Sequence, residues 1–243
     1  MVLDTDRCRA VIFDMDGVIT DSVSVHRRAW KQTFDSFLDE IGSDAPRFDE
    51  RFDYLTHVDG KPRYDGVRDF LTSRGIELPE GTPADPPEEM TVCGVGNRKN
   101  EDFLKALAEV GVDPYRSTLD LIGQLHAAGL AVALITSSRN ASAVLGSAGV
   151  DPASFDAVVD GNESARLGLP GKPEPAIFLE AATRLEVESA GAVMVEDAVS
   201  GVAAGRAGGF GGVIGVDRGS NREALTVAGA DVVVEDLGDV VLS

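Results

Sequence analysis

Asp14 and Asp16 stand one residue apart at the end of the apolar run "AVIF", and Gly17 follows at once. Charged groups at the end of a buried strand are costly unless they do chemistry or meet a cation. In an extended chain, residues i and i+2 point the same way, about 7 Å apart. A carboxylate in that position can attack phosphorus as a nucleophile and form an acyl phosphate. A second carboxylate in different surroundings can move the proton of the leaving or attacking oxygen. Asp14 is the candidate nucleophile and Asp16 the candidate acid/base. Gly17 lets the chain turn away sharply, so both groups stand free.

Three further stretches carry polar groups at the ends of apolar runs. "LAVALIT" ends in Thr136, with Ser137 and Ser138 after it; "AGAVMVED" ends in Glu196 and Asp197; Lys172 lies in "GKPEP". Each has an ordinary reading on its own. Asp197 and Ser138 can cap the helices that follow them, and a lone lysine is usually a solvated charge. Gathered at one edge, however, four carboxylates repel one another unless a cation sits among them. An all-oxygen donor set favours a hard divalent ion, Mg²⁺. Mg²⁺ held by Asp14 and by Glu196 or Asp197 would offset the repulsion between a carboxylate and a phosphate, while Lys172 and Thr136 bind phosphoryl oxygens.

The surrounding pattern says which elements must bring these residues together. Residues 9–14, 130–136, 157–159, 190–197, 211–216 and 230–236 read as strands. Helical patterns over 117–128, 140–148, 174–186, 199–207 and 221–228 lie between the later ones. Such alternation predicts a doubly wound, Rossmann-like parallel sheet, whose chemistry collects at the carboxyl ends of the strands. Residues 22–110 differ: helices are predicted over 22–41, 63–74 and 97–109, with Phe103, Leu107 and Val110 facing inward. The proline-rich stretch 79–89 is a loop, and no strand is predicted. The core therefore comprises 1–21 and 112–243, with an all-helical insertion over 22–111.

The totals limit the alternatives. The chain has 243 residues, 43% hydrophobic, and a formal net charge of −19. That charge disfavours nucleic acid and anionic membrane as partners, although a local basic pocket can still hold a small anion. Cys8 and Cys93 form no metal or disulfide pattern. No apolar run approaches a membrane span or a signal-peptide core. A cytoplasmic monomer is expected.

The four stretches "DMDGV", "LITSS", "GKPEP" and "VEDAVSG" resemble, in order, the four motifs of the haloacid dehalogenase superfamily of phosphotransferases. The resemblance implies Mg²⁺ bound by the Asp14 side chain, the Asp16 backbone carbonyl and the Glu196–Asp197 pair, and a mobile helical cap formed by the insertion. Within that superfamily, "GVITDSVSVHRRAWK", "VDGKPRYDGVRDFL" and "NRKNEDF" resemble the β-phosphoglucomutase branch. That match places His26, Trp30, Arg63, Lys99 and Asn100 among the substrate-binding residues of the cap, beside Ser137 and Ser138 of the core. Ala198 stands where the family often has Ser, and "CGVGN" (93–97) looks longer or broken relative to the mutase.

Arg63 and Lys61 at one predicted helix start, and Lys99 and Asn100 at another, form a candidate second anion site. Asn100 can instead be a helix cap, and Trp30 and His26 can belong to the apolar stripe. The resemblance and the second site together imply a mutase interconverting β-glucose 1-phosphate and glucose 6-phosphate through the 1,6-bisphosphate. A sugar-phosphate phosphatase using the same aspartyl-phosphate is the alternative. A catalytically idle binding domain would ordinarily lack Asp14 or Lys172, and dehalogenation has no need of the Glu196–Asp197 pair.

Overall fold

The computed structural model of the protein describes residues 2–219 and 221–243. They form two compact units, residues 1–21 with 112–243 and residues 22–111.

The first unit is built on a parallel sheet. Its strands follow a short N-terminal strand β1 (Val2–Leu3): β2 (Ala10–Asp14), β3 (Ala131–Ile135), β4 (Ala157–Val159), β5 (Ala192–Glu196), β6 (Gly212–Val216) and β7 (Val232–Val234). The spatial order is β4-β3-β2-β5-β6-β7, and every neighbouring pair is parallel. β1 pairs instead with the last strand, β8 (Val241–Leu242). β2, β3, β5 and β6 are almost wholly buried. Such near-continuous apolar strands belong to a sheet covered on both faces. The apolar layer on one side joins Ile12, Ile135, Met194 and Val213 to Ile177, Phe178 and Val202. Those last three lie on α7 (Ala176–Arg184) and α8 (Val199–Ala207).

The second unit consists of α1 (Val23–Glu40), α2 (Arg63–Ser73) and α3 (Val92–Val110), with a π-helical turn at Tyr54–Val58 and no strand. Its core is aromatic. Phe34 stacks on Trp30 and on Phe70, at 5.0 and 3.9 Å between ring centroids, and Phe37, Leu38 and Phe48 close the cluster.

Two expectations for this unit are corrected. α3 starts at Val92, well before 97, because the Thr91 hydroxyl accepts from the Gly94 amide at 2.9 Å and caps the helix there. The stretch "CGVGN" is thus helical, and Gly96 is what lets the Tyr64 ring lie directly against α3. Lys99 and Asn100 consequently sit mid-helix, where no free backbone N–H groups attract an anion. Val110 is exposed, not inward, because it is the last residue of α3 and Gly111 turns the chain away.

The remaining helices of the first unit are α4 (Arg116–Ala127), α5 (Ala141–Ala148), α6 (Gly161–Leu167) and α9 (Arg222–Ala228). α6 was not evident from apolar periodicity, since only one of its residues is buried. Its signal is the cap: Asp160 Oδ1 accepts from the amides of Asn162 and Glu163, each at 2.9 Å.

Candidate active site

β2 lies between β3 and β5, where the sheet order reverses direction, and such a switch point opens a crevice at the strand ends. The register sets Asp14 opposite Ile135 and Phe13 opposite Val195. Asp14 on β2, Thr136 just past β3, and Glu196 with Asp197 at the end of β5 therefore reach the same edge. Lys172 arrives from the segment before α7. All five are buried, Glu196 completely.

Lys172 organises the centre. Its Nζ donates to Asp14 Oδ1 at 2.6 Å and to Glu196 Oε1, and it lies 5.2 Å from the centroid of the Phe178 ring. Burial works against its charge, but Asp14 and Glu196 outweigh burial and hold the ammonium protonated far above the ordinary lysine range. Asp14 moves the other way. Burial pushes its carboxyl well up, Lys172 pulls it down, and the charges of Glu196 and Asp16 push it up again.

One ammonium among Asp14, Asp16, Glu196 and Asp197 leaves negative charge in excess. Oxygens of Asp14, Glu196 and Asp197 all lie within 4.8 Å of one another. A buried, all-carboxylate cluster with surplus negative charge fits a hard divalent cation such as Mg²⁺.

The other core residues divide their work. Thr136 Oγ1 donates to Asp16 Oδ2 at 3.1 Å and accepts from the Ser138 amide at 3.0 Å. It thus fixes Asp16 apart from the metal-fitting trio, and the two aspartates occupy different environments. Ser138 Oγ accepts from the Asn140 amide at 3.1 Å and so shapes the 136–140 loop, in which Ser137 is half-buried. Ala198 is the N-cap position of α8 and its side chain makes no cap, while Glu196 Oε2 accepts the Ala198 amide at 2.8 Å. Gly17 adopts φ +81°, and a Cβ there would overlap the Asp197 carboxylate. The turn after Asp16 and the metal-fitting carboxylate are in direct contact.

The residues singled out in the helical unit form their own constellation along α3. Lys99 Nζ donates to His26 Nδ1 at 2.8 Å, so the imidazole proton belongs on Nε2 when the lysine is charged. The Lys99 ammonium also lies 4.7 Å from the Trp30 ring and 4.9 Å from Phe103, on which His26 stacks at 4.1 Å. Arg63 opens α2 and its side chain flanks Gly96, one turn before Asn100. Lys61 leaves the group: its Nζ is bound to Asp69 and to the Thr56 carbonyl, which commits its charge within the unit. Two residues that no motif flagged touch the catalytic edge of the first unit. Arg218 binds the Gly17 carbonyl and Asn221 binds the Asp197 carbonyl. Their signal was only a strand end followed by the turn-rich "DRGSN".

Comparisons with known proteins give the family. A family model for haloacid dehalogenase-like hydrolases matches residues 8–209. The chain is 45% identical to a β-phosphoglucomutase of Mycobacterium bovis, over 97% of this chain and 92% of that protein. It is 33% identical to the β-phosphoglucomutase of Bacillus subtilis, over 96% and 92%. The crystal structure of β-phosphoglucomutase from Clostridium difficile superposes with a TM-score of 0.73 at 24% identity, over 95% of this chain and 92% of that one, a likeness of fold. With four motif-bearing segments gathered at one sheet edge and matches across nearly the whole length, the chain belongs to the haloacid dehalogenase-like hydrolase family, on its β-phosphoglucomutase-like branch.

Proposed function

We propose that the protein is a Mg²⁺-dependent phosphosugar mutase that interconverts β-D-glucose 1-phosphate and glucose 6-phosphate through an aspartyl-phosphate and a 1,6-bisphosphate. The observation that carries the reading is the difference in surroundings between the two aspartates. Asp14 faces Lys172 and the metal-fitting carboxylates, while Asp16 is turned to Thr136. Similarity to β-phosphoglucomutases over nearly the whole length supports the sugar and the isomerisation.

In this reading an Asp14 carboxylate oxygen attacks phosphorus and the P–O bond to the sugar breaks. Asp16 gives its proton to the departing sugar oxygen. In the half-reaction that forms the bisphosphate, Asp16 takes the proton of the free hydroxyl on a sugar monophosphate, whose oxygen attacks the phosphorus carried by Asp14 and breaks its bond to the carboxylate. Lys172 neutralises charge that develops on the phosphoryl oxygens. Thr136 holds Asp16 at the height where it meets the leaving oxygen. Mg²⁺, held by Asp14, Glu196 and Asp197, would supply Lewis-acid neutralisation of the phosphoryl group. The helical unit acts as the cap, with Arg63 and Lys99 as cations for the second phosphate and His26, Trp30 and Asn100 around the sugar.

The test is ³¹P NMR of the protein with Mg²⁺, β-glucose 1-phosphate and a trace of glucose 1,6-bisphosphate. Conversion to glucose 6-phosphate is expected. Release of inorganic phosphate without isomerisation would replace the mutase by a phosphatase using the same aspartate.

A further inference from the structure

The loop between β6 and α9 carries no family motif, yet it makes side-chain bonds to two of the catalytic turns. Arg218 Nε donates to the Gly17 carbonyl at 2.7 Å, and its Nη1 donates to the Glu235 carbonyl at 3.1 Å. The carbon of its guanidinium lies over the Tyr115 ring, 3.6 Å from the centroid. Tyr115 in turn grips the same turn from its far end: its amide donates to the Ile19 carbonyl at 2.9 Å and its hydroxyl to Asp21 Oδ1 at 3.0 Å. Three residues farther on, Asn221 Nδ2 donates to the Asp197 carbonyl at 3.1 Å. The loop itself is stiffened by Asp217, whose Oδ1 accepts the amides of Gly219 and Asn221 at 3.2 and 3.0 Å.

These bonds are not incidental packing. A guanidinium bonded to a carbonyl and lying over an aromatic face is a strong, directional contact. The two carbonyls it and Asn221 hold belong to segments already in van der Waals contact through Gly17 and the Asp197 carboxylate. Asn221 Oδ1 is buried without a hydrogen-bond partner, a cost the chain bears while the amide donates to Asp197. Arg218 Nη2 is buried and unpartnered in the same way.

We infer that Arg218 and Asn221 are positioning residues: one strap on which Arg218 fixes the turn carrying Asp16 and Asn221 fixes the metal-fitting carboxylate of Asp197. The inference deepens the proposed function and rests on it for the roles of Asp16 and Asp197. Each residue has its own readout. Asn221→Ala should weaken Mn²⁺ binding, measured by titration with no substrate present, by about ten-fold or more. Arg218→Met should leave Mn²⁺ affinity within about two-fold of the wild type. It should instead accelerate amide hydrogen exchange across residues 15–21 about ten-fold, with Arg218→Lys restoring part of the protection.

Asn221→Ser serves if the alanine variant does not fold. Unchanged Mn²⁺ affinity in a folded Asn221 variant, or unchanged exchange of 15–21 in Arg218→Met, overturns the strap; so does a wild type that takes up no Mn²⁺. Neither readout needs turnover. A wild type that processes no phosphate ester therefore refutes the proposed function alone.

Discussion

Lys172 and Asp14 are separated by 158 residues of chain, and their charged atoms stand 2.6 Å apart in the buried centre of the sheet edge. The pair does two things at once. It offsets part of the burial that pushes the Asp14 carboxyl up, and it places a cation where a phosphoryl group would gain charge. Glu196, on the other side of the same ammonium, completes a bridge between β2 and β5.

Asp14→Asn should abolish phosphoryl turnover, by about 10³-fold or more, because an amide is no nucleophile toward phosphorus. The Asn oxygen can still accept from Lys172, so the fold should stay intact. Activity assays with circular dichroism melting check both halves; normal turnover would refute the nucleophile.

Lys172→Met removes the one ammonium from the cluster and leaves Asp14 and Glu196 buried together. Breaking a buried pair in this way costs about 3–5 kcal/mol. Added Mg²⁺ should therefore raise the melting temperature of Lys172→Met more than that of the wild type, and EDTA should erase the difference. An equal Mg²⁺ effect on both proteins would mean that the cation binds elsewhere.

Arg63→Ala should slow phosphoryl transfer from glucose 1,6-bisphosphate about ten-fold more than it slows hydrolysis of a small monophosphate such as an aryl phosphate. The reason is that a guanidinium binds a phosphate by charge-assisted, often paired, hydrogen bonds. Parallel kinetics on the two substrates give the ratio, and equal losses would take Arg63 out of the distal-phosphate role.

Asp69 offers a pH signature confined to the helical unit. Burial would raise its carboxyl, but Lys61 and then His57 outweigh burial and hold it below the usual aspartate range. A carboxyl depressed on folding stabilises above its unfolded pKa of about 4, and that contribution is lost as pH falls through the lower folded value. The side chain is 41% exposed, so its contribution is about 1 kcal/mol or less. Asp69→Asn should lower the melting temperature slightly at pH 7, and the gap to the wild type should close as the pH drops from about 4 toward 2. A gap that persists at pH 2 would count against the ion pair.

Much of this architecture was legible in the chain. The strands announced themselves because both sheet faces are covered, so apolar runs such as "AVIF" and "AVMV" needed no polar alternation. Asp14, Thr136, Glu196 and Asp197 were legible because parallel strands deliver whatever follows them to one edge. Polar residues at the ends of buried runs can hardly go anywhere else. The helices of 22–111 were legible from their aromatic stripe, apart from the start of α3. There a threonine cap ninety-one residues into the chain overrode two glycines that read as a break.

The tertiary structure alone decided who holds whom. That Lys172 bridges Asp14 and Glu196, that Thr136 turns to Asp16, that Lys61 is consumed by Asp69, and that Arg218 and Asn221 reach back to Gly17 and Asp197 are all facts about residues far apart in sequence. Local patterning fixes which face of an element is buried and where it ends. Hydrogen bonds and ion pairs act over about 3 Å, so their partners are settled only when packing has chosen which ends meet.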